Sequence, residues 1–131
     1  MTKAPTKFWK NLFIVAGVFN GLAGLLGMLF PAHGIKLATG LEVAEPGILF
    51  VFFLLCFAVA LFGLGYFLVA FNAIANRGLV VVGIIGKVCF PVMALYGYLG
   101  GMATLEITLL IAGDLIWAGL FIYYLKNNPI R

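Results

Sequence analysis

Four long runs of apolar residues, separated by short polar segments, dominate the chain. They cover residues 12–30, 47–71, 79–100 and 107–125. An α-helix needs roughly 20 mostly apolar residues to cross the hydrocarbon core of a bilayer, and each run is close to or above that length. Polar and apolar residues do not alternate within the runs, as they do in the strands of a membrane β-barrel. The pattern predicts an all-α, polytopic membrane protein, with four transmembrane helices bundled in one domain over residues 1–131.

The connections between the runs are short, with one exception at residues 31–46. This outer loop mixes apolar side chains, such as Ile35 and Leu37, with charged ones, such as Lys36 and Glu42. Such a mixture suits a short helix lying at the membrane surface. A loop without regular structure fits the segment equally well, and both interpretations stay open at this point.

Composition agrees with the hydrophobic pattern. Hydrophobic residues make up 65% of the chain and charged residues only 9%. A water-soluble domain with so few charges would expose a surface of bare hydrocarbon. The composition therefore excludes a nucleic-acid-binding module, a secreted disulfide scaffold and nearly every class of soluble enzyme. We expect a protein of the inner (plasma) membrane, with lipids as its immediate partners and no nucleic acid.

The basic residues predict the orientation of the four helices. Lys36 is the one basic residue expected on the outer side, and Lys87 lies within a span. The others flank the spans on the side of both termini and of the central loop: Lys3, Lys7, Lys10, Arg77, Lys126 and Arg131. Basic residues near membrane spans favour the cytoplasmic side. The bias predicts that both the N-terminus and the C-terminus are cytoplasmic.

Polar side chains inside the spans are the candidate functional residues. A lone charge near the centre of a membrane helix costs about 2.5–3.5 kcal/mol on insertion scales. Lys87 lies 13 residues before Gly100 and Asp114 lies 14 residues after it, so the two charges reach similar depths on adjacent spans. Asn20 and Trp117 fall at comparable depths. We predict that these four residues, Asn20, Lys87, Asp114 and Trp117, converge in one intramembrane polar cluster.

Two interpretations of this cluster remain open. It can be structural, fixing the register of the helices, or it can form part of a site for a proton, an ion or a polar head group. A third arrangement, in which Lys87 extends to the membrane surface and does not meet Asp114, is also compatible with the sequence.

Glycines recur at helical spacing in the first and third spans. Small residues allow membrane helices to approach closely, because lipid tails leave little hydrophobic drive for association. The candidate helix-packing residues are Gly17, Gly21, Gly24, Gly83 and Gly86. We expect them to mediate contacts within the bundle, or alternatively contacts with a partner subunit or a second copy of the chain.

Other chemistry is sparsely represented. His33 is the single histidine, and together with Glu42 and Glu45 it is a weak candidate for a metal-binding site. Because one histidine without a second histidine or a thiolate is a poor set of ligands, no metal site is predicted. The chain lacks a combination of nucleophile, base and orienting group that would support covalent catalysis. We do not expect an enzyme in its own right, although activity within a complex stays open. No cofactor is predicted, and a bound lipid or quinone is compatible with the sequence.

Three short patches resemble small bacterial four-helix membrane proteins of the DoxX-like kind. They are GLAGLLGMLFP at residues 21–31, Gly86-Lys87, and GDLIWA at residues 113–118. The resemblance implies a four-helix bundle and allows a role as a small subunit beside a quinone-linked oxidoreductase. It transfers no catalytic residue.

We carry three functional hypotheses forward. The first is a non-catalytic accessory or assembly subunit of a larger membrane complex, such as a quinone-linked oxidoreductase. The alternative is a small transporter or a lipid- or quinone-binding protein that uses Lys87 and Asp114. The third, an integral membrane enzyme, is disfavoured by the residues present. Small multidrug transporters have a similar length but carry an essential carboxylate in their first span, where this chain has Asn20.

Overall fold

The computed structural model describes residues 6–129, and within that range the chain is helical without strands. Lys3 and Arg131, two of the basic residues that predict the orientation, lie outside the described residues. The helices are α1 (Lys7–Leu29), α2 (Pro31–Thr39), α3 (Pro46–Phe71), α4 (Arg77–Leu99), α5 (Leu105–Ala112) and α6 (Asp114–Asn127).

Four helical segments of the described chain are long and apolar enough to cross a membrane. They are α1, α3, α4 and the combined segment Leu105–Asn127, which contains α5 and α6. The prediction of an all-α protein with four membrane-spanning helices is confirmed. The fourth span differs from the uninterrupted helix that we expected, because Gly113 separates α5 from α6. Gly113 keeps right-handed backbone angles (φ −58°, ψ −22°), which is compatible with α5 and α6 forming a single span.

The open question about residues 31–46 is decided in favour of a helix over its first part. Pro31 occupies the first turn of α2, where its missing N–H costs nothing. Gly40 ends the helix in the left-handed conformation with φ 76°. Ile35 is buried, and Thr104 at the start of α5 donates from its hydroxyl to the Leu37 carbonyl oxygen (2.6 Å). These contacts hold α2 across the end of the bundle.

The helices associate as two tightly packed groups. In the first group, α1 lies against α3 along most of its length. A Cβ atom added to Gly24 would lie 2.6 Å from the Cys56 carbonyl oxygen, and one added to Gly63 would lie 2.6 Å from the Gly21 nitrogen. The two backbones are therefore close enough that only glycine fits at these crossing points.

In the second group, α4 packs against α5 and α6. Arg77, the first residue of α4, donates to the Leu125 carbonyl oxygen (3.0 Å) and to that of Asn128, at the C-terminal end of α6. Helix ends leave carbonyl groups without intrahelical partners, and a cationic side chain satisfies them well. On α5, the Thr108 hydroxyl lies 3.4 Å from the Ala94 carbonyl oxygen of α4.

Aromatic side chains join the two groups near the end that carries the start of α1 and the end of α6, which we call the terminal half. The Phe13 ring lies 5.1 Å from that of Phe121 and 5.0 Å from that of Tyr124, between ring centroids. Trp9 packs edge-on against Tyr124 at 5.3 Å. Trp9 and Tyr124 are both buried, because they fill the gap between α1 and α6.

The opposite end, which we call the distal half, is packed less completely. Its few buried residues are Gly24, Ile35, Cys56, Pro91 and Thr108. Gly24 and Cys56 belong to the contact of α1 with α3, whereas Thr108 belongs to the contact of α5 with α4. The hydrophobic core that unites both groups is instead built from residues of the terminal half, such as Phe13 and Phe121. The bundle is thus closed at one half and joined mainly through α2 at the other.

Candidate functional site

Lys87 lies at the centre of a polar cluster inside the bundle. Its Nζ donates to Asp114 Oδ1 at 2.7 Å and to Asn20 Oδ1 at 3.3 Å. The lysine side chain is only 4% exposed, although the ammonium group is one of the most costly groups to bury. Helices α1, α4 and α6 each contribute one of these residues. The structure therefore places Lys87 beside Asp114, as their depths predicted, and excludes an arrangement in which Lys87 extends to the membrane surface.

Two aromatic rings enclose the lysine ammonium. Its Nζ lies 6.0 Å from the centroid of the Trp117 ring and 5.7 Å from that of the Tyr66 ring. A cation near the face of an aromatic ring is attracted by the ring quadrupole, more strongly when water is excluded. All four candidate residues thus come together, and Tyr66 of α3 joins them. Sequence reasoning missed Tyr66, because hydropathy gives the depth of a residue in a span but not the direction it faces.

Both helices that carry the charges are irregular next to them. Pro91 follows Lys87 by four residues and has no N–H, so it cannot donate the helical hydrogen bond to the Lys87 carbonyl oxygen. On the other side, the helix is interrupted at Gly113, and the Ile116 N–H bonds three residues back to the Gly113 oxygen at 3.1 Å. Asp114 is the first residue of α6, where the helix dipole favours a carboxylate. The local backbone therefore supports the negative charge at this position.

Part of the hydrogen-bonding capacity of the cluster is unused. Within residues 6–129, the protein provides no hydrogen-bond partner for Asp114 Oδ2 or for the Asn20 Nδ2 amide. The Asp114 side chain is 23% exposed. In the same range no fully buried side-chain nitrogen or oxygen lacks a partner, so these two atoms reach an accessible surface. To a molecule that approaches it, the cluster therefore offers an acceptor at Asp114 Oδ2 and donors at Asn20 Nδ2.

The cluster lies where the shared core ends. Along the face of α1 that meets α6, Phe13 and Ala16 are buried, Asn20 is half-buried and Ala23, about one turn further, is exposed. Beside this position the Phe19 ring of α1 contacts the Trp117 ring of α6, with ring centroids 6.3 Å apart. The packing of α1 against α6 therefore ends at the polar groups. We call the exposed face of α1 between Asn20 and the distal half the opening.

The predicted packing glycines differ in what they contact. Gly17 and Gly24 lie against α3, and Gly83 lies against the Tyr66 ring. Gly21 contributes its backbone, which lies against Gly63. The packing role expected for Gly86 is not found, since a Cβ atom there would meet nothing within 4 Å. This glycine points away from the other helices of the bundle.

Two glycines outside the predicted set of packing residues also make close contacts. A Cβ atom on Gly63 would collide with the backbone of α1, and one on Gly27 would lie 2.3 Å from Cys56 Sγ. Gly27 belongs to the glycine series of the first span, so spacing alone was enough to find it. Gly63 lies in the most uniformly apolar span, where nothing in the pattern distinguishes one face from another.

The weak metal candidate does not assemble into a site. Among the described residues, no three histidine, cysteine or acidic side chains are grouped closely enough to hold a metal ion. Glu42 is instead paired with Lys36, whose Nζ lies 2.5 Å from Glu42 Oε1 on the surface. His33 and Glu45 are both exposed. The charged partner that Glu42 has in the structure is thus Lys36.

Comparisons of the chain with protein-family models, with curated proteins and with solved structures give no match. The resemblance to DoxX-like proteins accordingly stays a prediction.

Proposed function

We propose that this integral membrane protein binds an amphiphile of the membrane, a lipid or a quinone, at the polar cluster. The observation that carries the proposal is the ion pair of buried Lys87 with Asp114, whose second carboxylate oxygen remains accessible. Ionisable groups within membrane spans are rare because they are costly, and they typically mark ligand or ion pathways.

A purely structural role explains less of the geometry. A pair that only fixes helix register is best satisfied when all its hydrogen bonds are made inside the protein. Here Asp114 Oδ2 and Asn20 Nδ2 are left free beside the opening. Irregular backbone at Gly113 is also typical of membrane helices that line a binding site. Both features favour a site that is completed by a ligand.

The proposal does not include catalysis. The Lys87 amine is engaged by Asp114 and Asn20, so it is not presented as a nucleophile. The one histidine, His33, lies on α2, away from the cluster. Binding, or binding followed by movement of the amphiphile as in a small transporter, is the activity that these residues support.

The test is to identify what the protein retains from its native membrane. The wild-type chain and the double variant Lys87→Met with Asp114→Leu are purified in mild detergent, and the bound lipids and quinones are extracted and identified by mass spectrometry. Lys36→Met serves as the matched control, because it breaks the exposed ion pair with Glu42 instead. We expect one class of amphiphile to be enriched in wild type and control and lost from the double variant. Equal retention by all three proteins contradicts the proposal.

A second candidate is an accessory or assembly subunit of a larger membrane complex, such as a quinone-linked oxidoreductase. Gly86 favours it, because this glycine lies in α4 with open space beside it, where another helix can approach closely. Purification from native membranes followed by subunit analysis tests this candidate. Stable co-purification of larger subunits, reduced by Gly86→Leu, supports it, whereas a particle that contains only this chain counts against it.

We further propose that the protein lies in the inner (plasma) membrane with both termini in the cytoplasm. The contact of Trp9 with Tyr124 and the bonds of Arg77 to the end of α6 support one shared side for the start of α1, the α3–α4 connection and the end of α6. The basic residues at these three places therefore act together as an orientation signal.

A further inference from the structure

We infer that the polar cluster selects an amphiphile whose head group is uncharged and carries a hydroxyl. The inference rests on the proposed function and adds the chemistry of the ligand. Three features carry it: the charge balance of the cluster, the two hydrogen-bonding atoms that it leaves free, and its depth in the membrane.

The charges of the cluster already balance. Lys87 contributes one positive charge and Asp114 one negative charge, and the two atoms that meet are 2.7 Å apart. Asn20, Tyr66 and Trp117 add polar or aromatic groups without a net charge. A head group with a net charge would therefore be left uncompensated in a medium of low dielectric constant, which is strongly unfavourable. An uncharged head group avoids this cost.

The free atoms match a hydroxyl group. Asp114 Oδ2 is an acceptor, and Asn20 Nδ2 is a donor. A hydroxyl group donates one hydrogen bond and accepts others, so one such group can satisfy both atoms. An ester or ether oxygen only accepts, and it would leave the carboxylate without a donor. Since a hydrogen bond to a charged group is stronger than one between neutral groups, the contact with Asp114 decides the selectivity.

The depth of the cluster favours a small uncharged head group. Lys87 is the eleventh of the 23 residues of α4, and Asp114 has a similar central place in the span Leu105–Asn127. A ligand must therefore bring its polar end to the middle of the membrane. The charged head group of a phospholipid is held at the surface by its hydration, whereas an uncharged hydroxyl group is far less costly to move inward.

The opening gives such a molecule a path to the cluster. Ala23 is exposed directly beyond Asn20, and beside it the Phe19 ring packs against that of Trp117. Leu22 and Leu26 of the distal half are also exposed and apolar. The hydrocarbon tail of the ligand can lie along these side chains while its hydroxyl reaches Asp114.

The two tryptophans provide the experiment. Trp117 lies in the cluster, whereas Trp9 lies in the aromatic core of the terminal half, so their indole N–H signals report on the site and on a distant reference in one sample. The full chain, labelled with ¹⁵N, is placed in lipid nanodiscs, and the variant Trp9→Phe assigns the two signals. Four probes with the same twelve-carbon tail are titrated: monolauroylglycerol, dodecylhydroquinone, methyl laurate and dodecyl phosphate.

We expect a saturable shift of the Trp117 signal with a hydroxyl-bearing probe and no comparable shift of the Trp9 signal. If monolauroylglycerol binds more tightly than dodecylhydroquinone, the site prefers the hydroxyl of a glyceride. If dodecylhydroquinone binds more tightly, it prefers a hydroxyl on an aromatic ring. Asn20→Ala, which keeps the ion pair, and Asp114→Asn should each weaken the binding, the second by about tenfold. Lys36→Met should leave it unchanged.

Two results would overturn the inference in different ways. If methyl laurate or dodecyl phosphate shifts the Trp117 signal as strongly as the hydroxyl probes, selection for a hydroxyl is wrong, and the binding of amphiphiles at the cluster stands. If no probe moves the Trp117 signal and no amphiphile is retained from native membranes, the inference fails together with the proposed function.

Discussion

Lys87 and Asp114 are each unfavourable alone and acceptable together. Burying one charge in a membrane costs several kcal/mol, and a partner at 2.7 Å with further hydrogen bonds offsets much of that cost. The residues of the cluster could be predicted from the sequence because charge within an apolar run is conspicuous and depth follows from counting. Tyr66 could not, because its approach to Lys87 depends on how α3 is rotated against α4.

The variant Lys87→Met should destabilise the protein more than the double variant Lys87→Met with Asp114→Leu. Removing the lysine leaves a carboxylate without its counter-charge, at a cost of about 3–5 kcal/mol, whereas removing both charges restores an apolar interior. Unfolding in mixed detergent micelles, analysed as a double-mutant cycle, measures the coupling.

Lys36→Met is the control for that cycle, since it breaks an exposed ion pair worth at most about 1 kcal/mol. If the losses in the free energy of unfolding caused by Lys87→Met and by Asp114→Leu simply add in the double variant, the two side chains do not stabilise each other in the folded protein.

At the scale of the helices, close backbone contact holds α1 against α3. Apolar runs predicted these helices well, since a run of about 20 residues has few other ways to satisfy its backbone in lipid. The hydrophobic pattern was less informative about the segments where helices begin, end or are interrupted. Pro31 and Gly40 flank α2 as typical helix-boundary residues, but the mixed composition between them left the segment undecided. The hydropathy of the sequence gives no indication that the helix is interrupted at Gly113, between α5 and α6.

Gly24→Ala should weaken the contact of α1 with α3. The added Cβ atom would lie 2.6 Å from backbone atoms of both Cys56 and Ala60, which cannot move aside as a flexible side chain can. We expect a loss of about 1–3 kcal/mol in the free energy of unfolding. Thermal unfolding in detergent, followed by circular dichroism, is the measurement.

Gly86→Ala is the matched control in α4. Because the added methyl group meets open space, we expect stability to be unchanged or raised by up to about 1 kcal/mol through helix propensity. If both alanine variants unfold alike, the glycines of α1 do not set the distance between the helices.

At the scale of the whole molecule, the protein is a bundle with one closed half and one open half. The closed half holds the aromatic core, together with the described basic residues that we assign to the cytoplasmic side, which are Lys7, Lys10, Arg77 and Lys126. The open half carries α2, the surface pair of Lys36 with Glu42, and the entrance to the polar cluster. With this orientation, an amphiphile would reach the cluster from the outer leaflet.

Fusions to the C-terminus test this orientation. Green fluorescent protein fused there should fluoresce and alkaline phosphatase should be inactive, since the end of α6 is expected in the cytoplasm. Inserting alkaline phosphatase after Gly101, in the connection between α4 and α5, should give an active enzyme. The opposite pattern would place the entrance to the cluster in the inner leaflet.

The ion pair also bears on how the chain enters the membrane during synthesis. Lys87 emerges 27 residues before Asp114, so α4 presents an uncompensated charge to the translocation machinery until its counter-charge has been made. Until the segment containing α6 has arrived beside it, the charge of Lys87 opposes the release of α4 into lipid. The last two spans are therefore expected to leave the translocon as one unit, and biogenesis of this small protein becomes cooperative at its C-terminal half.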